Sequence, residues 1–140
     1  RKKEGVLRED YFFRGDRIWD SRSKDLAFFR PDGTEMPAED WGIGFVRSWA
    51  YVLGGDTLVV HDRAGKRPLG NTLLILINAH HESVEFTLPH VDWGRQWELV
   101  VDTAVQVAPE SRHFGNDAKV LLSARGMMVF RRPTPGQEAV

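Results

Sequence analysis

Five consecutive apolar residues, Leu73-Leu74-Ile75-Leu76-Ile77, constrain this chain more than any other feature. Turn-forming residues flank them: Gly70-Asn71 before, and Asn78-Ala79-His80-His81-Glu82-Ser83 after. A short run of branched residues between turn signals suits a central strand buried on both faces. The next segment, Val84-Glu85-Phe86-Thr87-Leu88, alternates apolar and polar residues. That alternation suits a strand with one buried and one wet face. Together the two segments predict a hairpin over residues 72–89, for which the remaining chain must supply partners.

The rest of the chain reads as short strands and turns. Tyr11-Phe12-Phe13 and Leu26-Ala27-Phe28-Phe29 predict strands. The second closes at Arg30-Pro31-Asp32-Gly33, where Pro presets the second turn position and Gly accepts positive φ. Residues 37–41, Pro-Ala-Glu-Asp-Trp, predict one helical turn, with Pro at its start and acids in its first turn. Residues 45–53 place Phe45, Arg47, Trp49, Tyr51 and Leu53 at period two, with Gly54-Gly55-Asp56 as a hairpin turn before a strand at 57–60. Further strands are expected at 97–102, 120–122 and 127–130, with 103–119 polar and irregular. The resulting fold class is all-β: an antiparallel β-sandwich of about seven to nine short strands with one or two short helical turns. A boundary is expected near residues 41–44, where the loop-rich first third gives way to regular strands.

Composition excludes several functions. The 140 residues suffice for one domain with a real core, and the 41% apolar and 28% charged content is that of a soluble globular protein. A formal charge of -1 gives no bulk attraction for nucleic acid or an anionic membrane. The absence of cysteine rules out disulfides and thiolate metal sites. No apolar stretch approaches the ~20 residues of a membrane helix. The N-terminus, Arg1-Lys2-Lys3-Glu4, has no apolar h-region and is no secretion signal. It also lacks an initiating Met, as expected of a fragment or a processed chain.

His80-His81-Glu82 is the most chemical-looking spot. Zinc sites need three or four ligands converging on one point. Adjacent side chains in an extended or turn backbone are expected to point apart, so His80 and His81 are not expected to share an ion. A polar turn with one packed or hydrogen-bonded imidazole is the simpler expectation. Gly65-Lys66-Arg67-Pro68-Leu69-Gly70-Asn71 is expected to be a solvated hairpin loop: a phosphate loop needs its glycines before the lysine and a helix after it, whereas here Pro68 intrudes and a strand follows. Glycoside hydrolysis needs two carboxyl groups about 5–10 Å apart across a cleft, and nothing selects such a pair. Asp25, Asp32 and Asp40 stand at strand or turn ends, where carboxylates cap backbone N–H groups. No GxSxG elbow is present. Of the five tryptophans, Trp49 and Trp97 fall in period-two strands and are expected in the core. Trp19, Trp41 and Trp93 fall in loops and could face sugar, the core or, by preference, a neighbouring domain.

Several segments together carry a resemblance. They are residues 25–41, DLAFFRPDGTEMPAEDW; Arg47-Ser48 with Gly54-Gly55-Asp56; Asn78-Ala79-His80-His81-Glu82; VEFTLP at 84–89; and WELVVDTA at 97–104. In this order the chain resembles the C-terminal region of bacterial isoamylase-type glycogen debranching enzymes of the α-amylase superfamily. That group includes enzymes of trehalose formation from glycogen. The resemblance implies hydrolysis of α-1,6 branch linkages by a parent with an N-terminal β-sandwich, a catalytic (β/α)8 barrel and a C-terminal β-sandwich. The nucleophilic Asp, the acid/base Glu and the stabilising Asp would lie upstream, so no catalytic residue transfers to this chain. No metal or organic cofactor is implied, and a cytoplasmic location is expected.

On this reading residues 1–13 leave the barrel, 14–132 form the C-terminal β-sandwich, and 133–140 are a frayed tail. Residues 8–11, Arg-Glu-Asp-Tyr, depart from the more basic run usual before the family's paired Phe residues. The implied partner is the barrel of the same parent chain, with α-glucan as a second partner if the tryptophans are exposed. Trp19, Trp41, Phe45 and Trp93 are the residues expected on that barrel-facing or glucan-facing surface.

Overall fold

The computed structural model describes residues 26–37, 39–40, 47–55, 71–90, 93–105 and 112–132. Eight strands lie within them: β1 (Leu26–Phe29), β2 (Ser48–Leu53), β3 (Thr72–Asn78), β4 (Val84–Thr87), β5 (Gln96–Asp102), β6 (Arg112–Gly115), β7 (Lys119–Leu122) and β8 (Gly126–Arg132). They form a six-stranded sheet in the order β1-β2-β3-β8-β5-β6 and a two-stranded sheet of β4 and β7. Every pairing is antiparallel. The described chain is thus an all-β sandwich, with a short 3₁₀ turn at Glu39-Asp40 where Asp40 N–H donates to Pro37 O (3.1 Å).

Period two explains how the layers pack. The large sheet turns Phe29, Val52, Leu74, Leu76, Phe130, Trp97 and Leu99 inward. The small sheet answers with Phe86 and Leu88 from the β4 side and Val120 and Leu122 from β7. Between these, Glu85 and Leu121 face outward, Leu121 with 65% exposure. A two-stranded sheet is marginal by itself in water. Complete burial of Phe86 and Leu122 contributes roughly 1.5–3 kcal/mol each and seats β4 and β7 on the larger sheet.

β3 is the central strand expected from its apolar run. Leu74 and Leu76 join the sandwich core, while Leu73 and Ile75 are buried on the opposite face with Tyr51, Leu53, Ile77, Met127 and Val129 around them. The expected hairpin of residues 72–89 does not form. β3 has β2 on one edge and β8 on the other, and β4 pairs with β7. With both edges of β3 occupied, the chain leaves its sheet at Asn78 and enters the other layer.

Two further expectations are corrected. Trp49 is half-buried instead of in the core, because β2 points Ala50 and Val52 inward and its large residues the other way. Residues 112–115, taken as irregular, form the edge strand β6. Only Phe114 of that strand reaches the core, edge-on to Phe130 at a centroid distance of 5.7 Å. The strands expected at 11–13 and 57–60, the boundary at 41–44, and the segments 1–13 and 133–140 lie outside the described residues.

Candidate functional site

The turn between β3 and β4 is built on Asn78. This side chain is 1% exposed, at the point where β3 ends. Its Nδ2 donates to Glu82 O (2.8 Å) and Ser123 O (3.1 Å). Its Oδ1 accepts from the Ser48 hydroxyl (2.8 Å) and from His80 N–H (3.0 Å). One carboxamide therefore joins the start of β2, the β3–β4 turn and the β7–β8 turn. Backbone bonds complete the tie: Ala79 N–H donates to Arg47 O (2.8 Å), and Arg125 N–H to His80 O (3.0 Å). Each amide valence used here satisfies a buried or half-buried polar group that would otherwise lose its water.

The β7–β8 turn is tight. Arg125 adopts φ 50°, and Gly126 follows it as the register partner of Asn78. A Cβ on Gly126 would stand 2.7 Å from Ser123 Oγ and 2.8 Å from Ser123 O, the carbonyl that Asn78 holds. Gly126→Ala is expected to displace that carbonyl and lower stability by about 1–3 kcal/mol, read from the urea midpoint.

On the Asn78 scaffold the two histidines come together. The His80 and His81 rings stack at 4.3 Å with an interplanar angle of 25°. Glu82 Oε1 lies 3.6 Å from His81 Nε2. One ligand atom from each of His80, His81 and Glu82 lies within 4.8 Å of the others. The expectation that adjacent side chains diverge here is therefore wrong: residues 80–82 form a bend, in which successive side chains need not oppose each other. His80 Nδ1 also accepts from Glu82 N–H (3.0 Å), which places the proton of the neutral ring on Nε2. His81 and Glu82 are exposed, with side-chain exposures of 61% and 74%.

The acids at turn ends do different work. Asp32 caps its turn as expected, with Oδ1 accepting from Thr34 N–H (2.9 Å) and the Thr34 hydroxyl (2.6 Å). Asp40 instead takes a two-pronged ion pair from Arg30, Nε to Oδ2 at 2.6 Å and an Nη to Oδ1 at 3.0 Å. The Arg30 side-chain hydrogen bonds hold the Asp40 carboxyl below the ordinary aspartate range, outweighing its desolvation. The Thr34 side-chain and backbone donors do the same for Asp32. Both folded-state values lie below their unfolded ones. Their stabilisation is therefore present above the unfolded value and is lost as pH falls through the folded one. Thermal melts are expected to decline below about pH 4, and Asp40→Asn should flatten that decline.

Of the surface residues expected from sequence, Trp19, Trp41 and Phe45 lie outside the described residues. Trp93 is half-buried and packs edge-on against Phe29, centroids 5.0 Å apart and rings at 88°. Trp97 is in the core as expected, with no exposure. Residues 65–70 of the basic loop also lie outside the described set. Sequence reasoning missed Asn78, although a signal existed: an amide that ends a fully buried strand must find partners for four valences.

Residues 25–131 match the family described as "Isoamylase, C-terminal". The chain is similar to the protein named "Glycogen operon protein GlgX homolog" in Mycobacterium bovis, at 34% identity over 133 residues, 94% of this chain and 18% of that relative. The homologues of the same name in two Mycobacterium tuberculosis strains, CDC 1551 and H37Rv, match with the same identity and coverage. The chain thus spans about a fifth of the length of these relatives, 18%. With a family match that covers all eight described strands except the last residue of β8, this chain belongs to the isoamylase C-terminal family.

Proposed function

We propose that this chain is the noncatalytic C-terminal β-sandwich of a glycogen debranching enzyme, and that it stabilises the catalytic (β/α)8 barrel of the same parent. The parent reaction is hydrolysis of α-1,6-glucosidic branch linkages in glycogen or limit dextrin, in the cytoplasm. The observation that carries this reading is the family match across residues 25–131 in a chain that spans only 18% of its relatives. Asp32 caps a turn, and Asp40 and Glu98 pair with Arg30 and Arg131, which suits a supporting role.

Trp19, Trp41 and Phe45 are proposed for the barrel-facing surface. In addition, the margin of the outer face of the six-stranded sheet, around the already buried Leu73 and Ile75, is proposed for that contact. It carries Trp49, Tyr51, Ile77 and Met127 half-buried, and Val101 at 42% exposure. A wholly solvent-facing sheet would alternate to polar residues at these positions. Trp93 gives the glucan-stacking alternative no support, because its ring packs on Phe29.

Deletion of the corresponding segment from an intact parent enzyme tests the role. The shortened enzyme is expected to inactivate at markedly lower temperature or to fail to accumulate folded. Unchanged thermal inactivation after the deletion would sink the stabilising role.

A further inference from the structure

The stacked histidines and Glu82 suggest a function that the supporting role does not use. We propose that the His80-His81-Glu82 turn binds a late first-row divalent cation, Zn²⁺, Ni²⁺ or Cu²⁺. Two imidazoles and one carboxylate are the donor set these ions favour over the hard, all-oxygen ions Mg²⁺ and Ca²⁺. Among the described residues this is the group of His and Glu side chains whose ligand atoms lie near one another, all within 4.8 Å.

The backbone is already set for the task. Asn78 holds His80 N–H and Glu82 O, while Arg125 N–H holds His80 O. Binding therefore orders side chains alone. Ligands at about 2.0–2.2 Å from one ion must approach one another somewhat more closely than they do here. The required rotations fall on His81 and Glu82, which are exposed and make their mutual contact at 3.6 Å.

His80 sets the strength of the site. Its Nδ1 accepts from Glu82 N–H, so coordination by this ring gives up that hydrogen bond, whichever nitrogen binds. The freed N–H meets water, because Glu82 is exposed. The site is accordingly an open one, with solvent in its remaining coordination positions. It ties the ion to the turn that joins the two sheets, so binding raises the stability of the folded chain by mass action.

The test uses chelator-stripped protein titrated with ZnCl₂, NiCl₂ and MgCl₂, read by calorimetry and by thermal melting. Zinc and nickel are expected to bind with one-to-one stoichiometry and to raise Tm, and magnesium to do neither. His81→Ala and Glu82→Ala, both at exposed positions, should each weaken binding roughly tenfold or more. His113→Ala should leave binding unchanged. Cu²⁺ bound at the turn should show nitrogen hyperfine structure from imidazole, and lose part of it in His81→Ala. Absence of binding at millimolar zinc and nickel would overturn the proposal. So would binding that survives His81→Ala or disappears in His113→Ala.

Discussion

Asn78→Asp will destabilise the chain by about 3–5 kcal/mol at neutral pH, although it changes a single atom group. The native amide donates to Glu82 O and Ser123 O at 2.8 and 3.1 Å. A carboxylate at that place would aim negative oxygen at two carbonyl oxygens in a site with 1% exposure. It can relieve only part of this by taking a proton, which supplies one donor where two are used. Asn78→Ala removes the conflict but strands the Ser48 hydroxyl, His80 N–H and both carbonyls. It should cost about 2–4 kcal/mol, given about 1–3 kcal/mol for an unsatisfied buried group and partial rehydration of this turn. Urea unfolding of the three proteins measures both numbers. A loss below about 1 kcal/mol in both variants would remove Asn78 from its place as the tie between the sheets.

Trp97→Ala will produce a loss of similar size by a different route. Trp97 has no exposure and is the largest fully buried side chain among the described residues. Gly94 lies against it so closely that a Cβ there would meet Cζ2 at 2.9 Å, and the Arg132 guanidinium stands 5.8 Å from the ring centroid. Truncation should cost about 3–5 kcal/mol, through lost transfer energy and the cavity left between β5 and β8. Trp97→Phe is the informative companion. The indole N–H has no hydrogen-bond acceptor among the described residues. Removing this buried donor offsets part of the volume lost, so Phe should cost clearly less than Ala. Equal losses for Phe and Ala would mean that the indole's outer ring carries the packing.

What could be read from the sequence depended on whether a feature was local. β3 announced itself because five branched apolar residues between turn signals are short for a helix and suit a strand buried on both faces. The turn at Arg30-Pro31-Asp32-Gly33 was equally legible: Gly33 takes φ 88° and its N–H donates to Arg30 O at 3.0 Å. Alternation also placed Phe86 inward and Glu85 outward in β4. It says nothing about which sheet a strand joins, and so β3 and β4 read as a hairpin when they lie in different layers. β6 escaped because an edge strand needs few apolar residues, and only Phe114 turns toward the core. In β2 the period was right and the face was wrong: large side chains at 49, 51 and 53 look like core, yet Ala50 and Val52 are the residues that enter it.

The candidate site was legible as residue types and not as geometry. His-His-Glu stands out in any sequence, but its stacking depends on the backbone bend at 80–82, which residue identity does not specify. Asn78 acts on residues 30 to 45 positions away, Ser48 and Ser123, and no local pattern encodes such partners. The family resemblance supplied what residue chemistry could not: the implication that the catalytic carboxyl groups belong to another part of a longer enzyme.

The most direct measurement is release of reducing ends from branched α-glucan by the purified chain alone. No release above buffer is expected, with glycogen or limit dextrin, with or without added zinc. Sustained turnover that scales with the concentration of the chain would contradict it, because catalysis would then lie within these 140 residues.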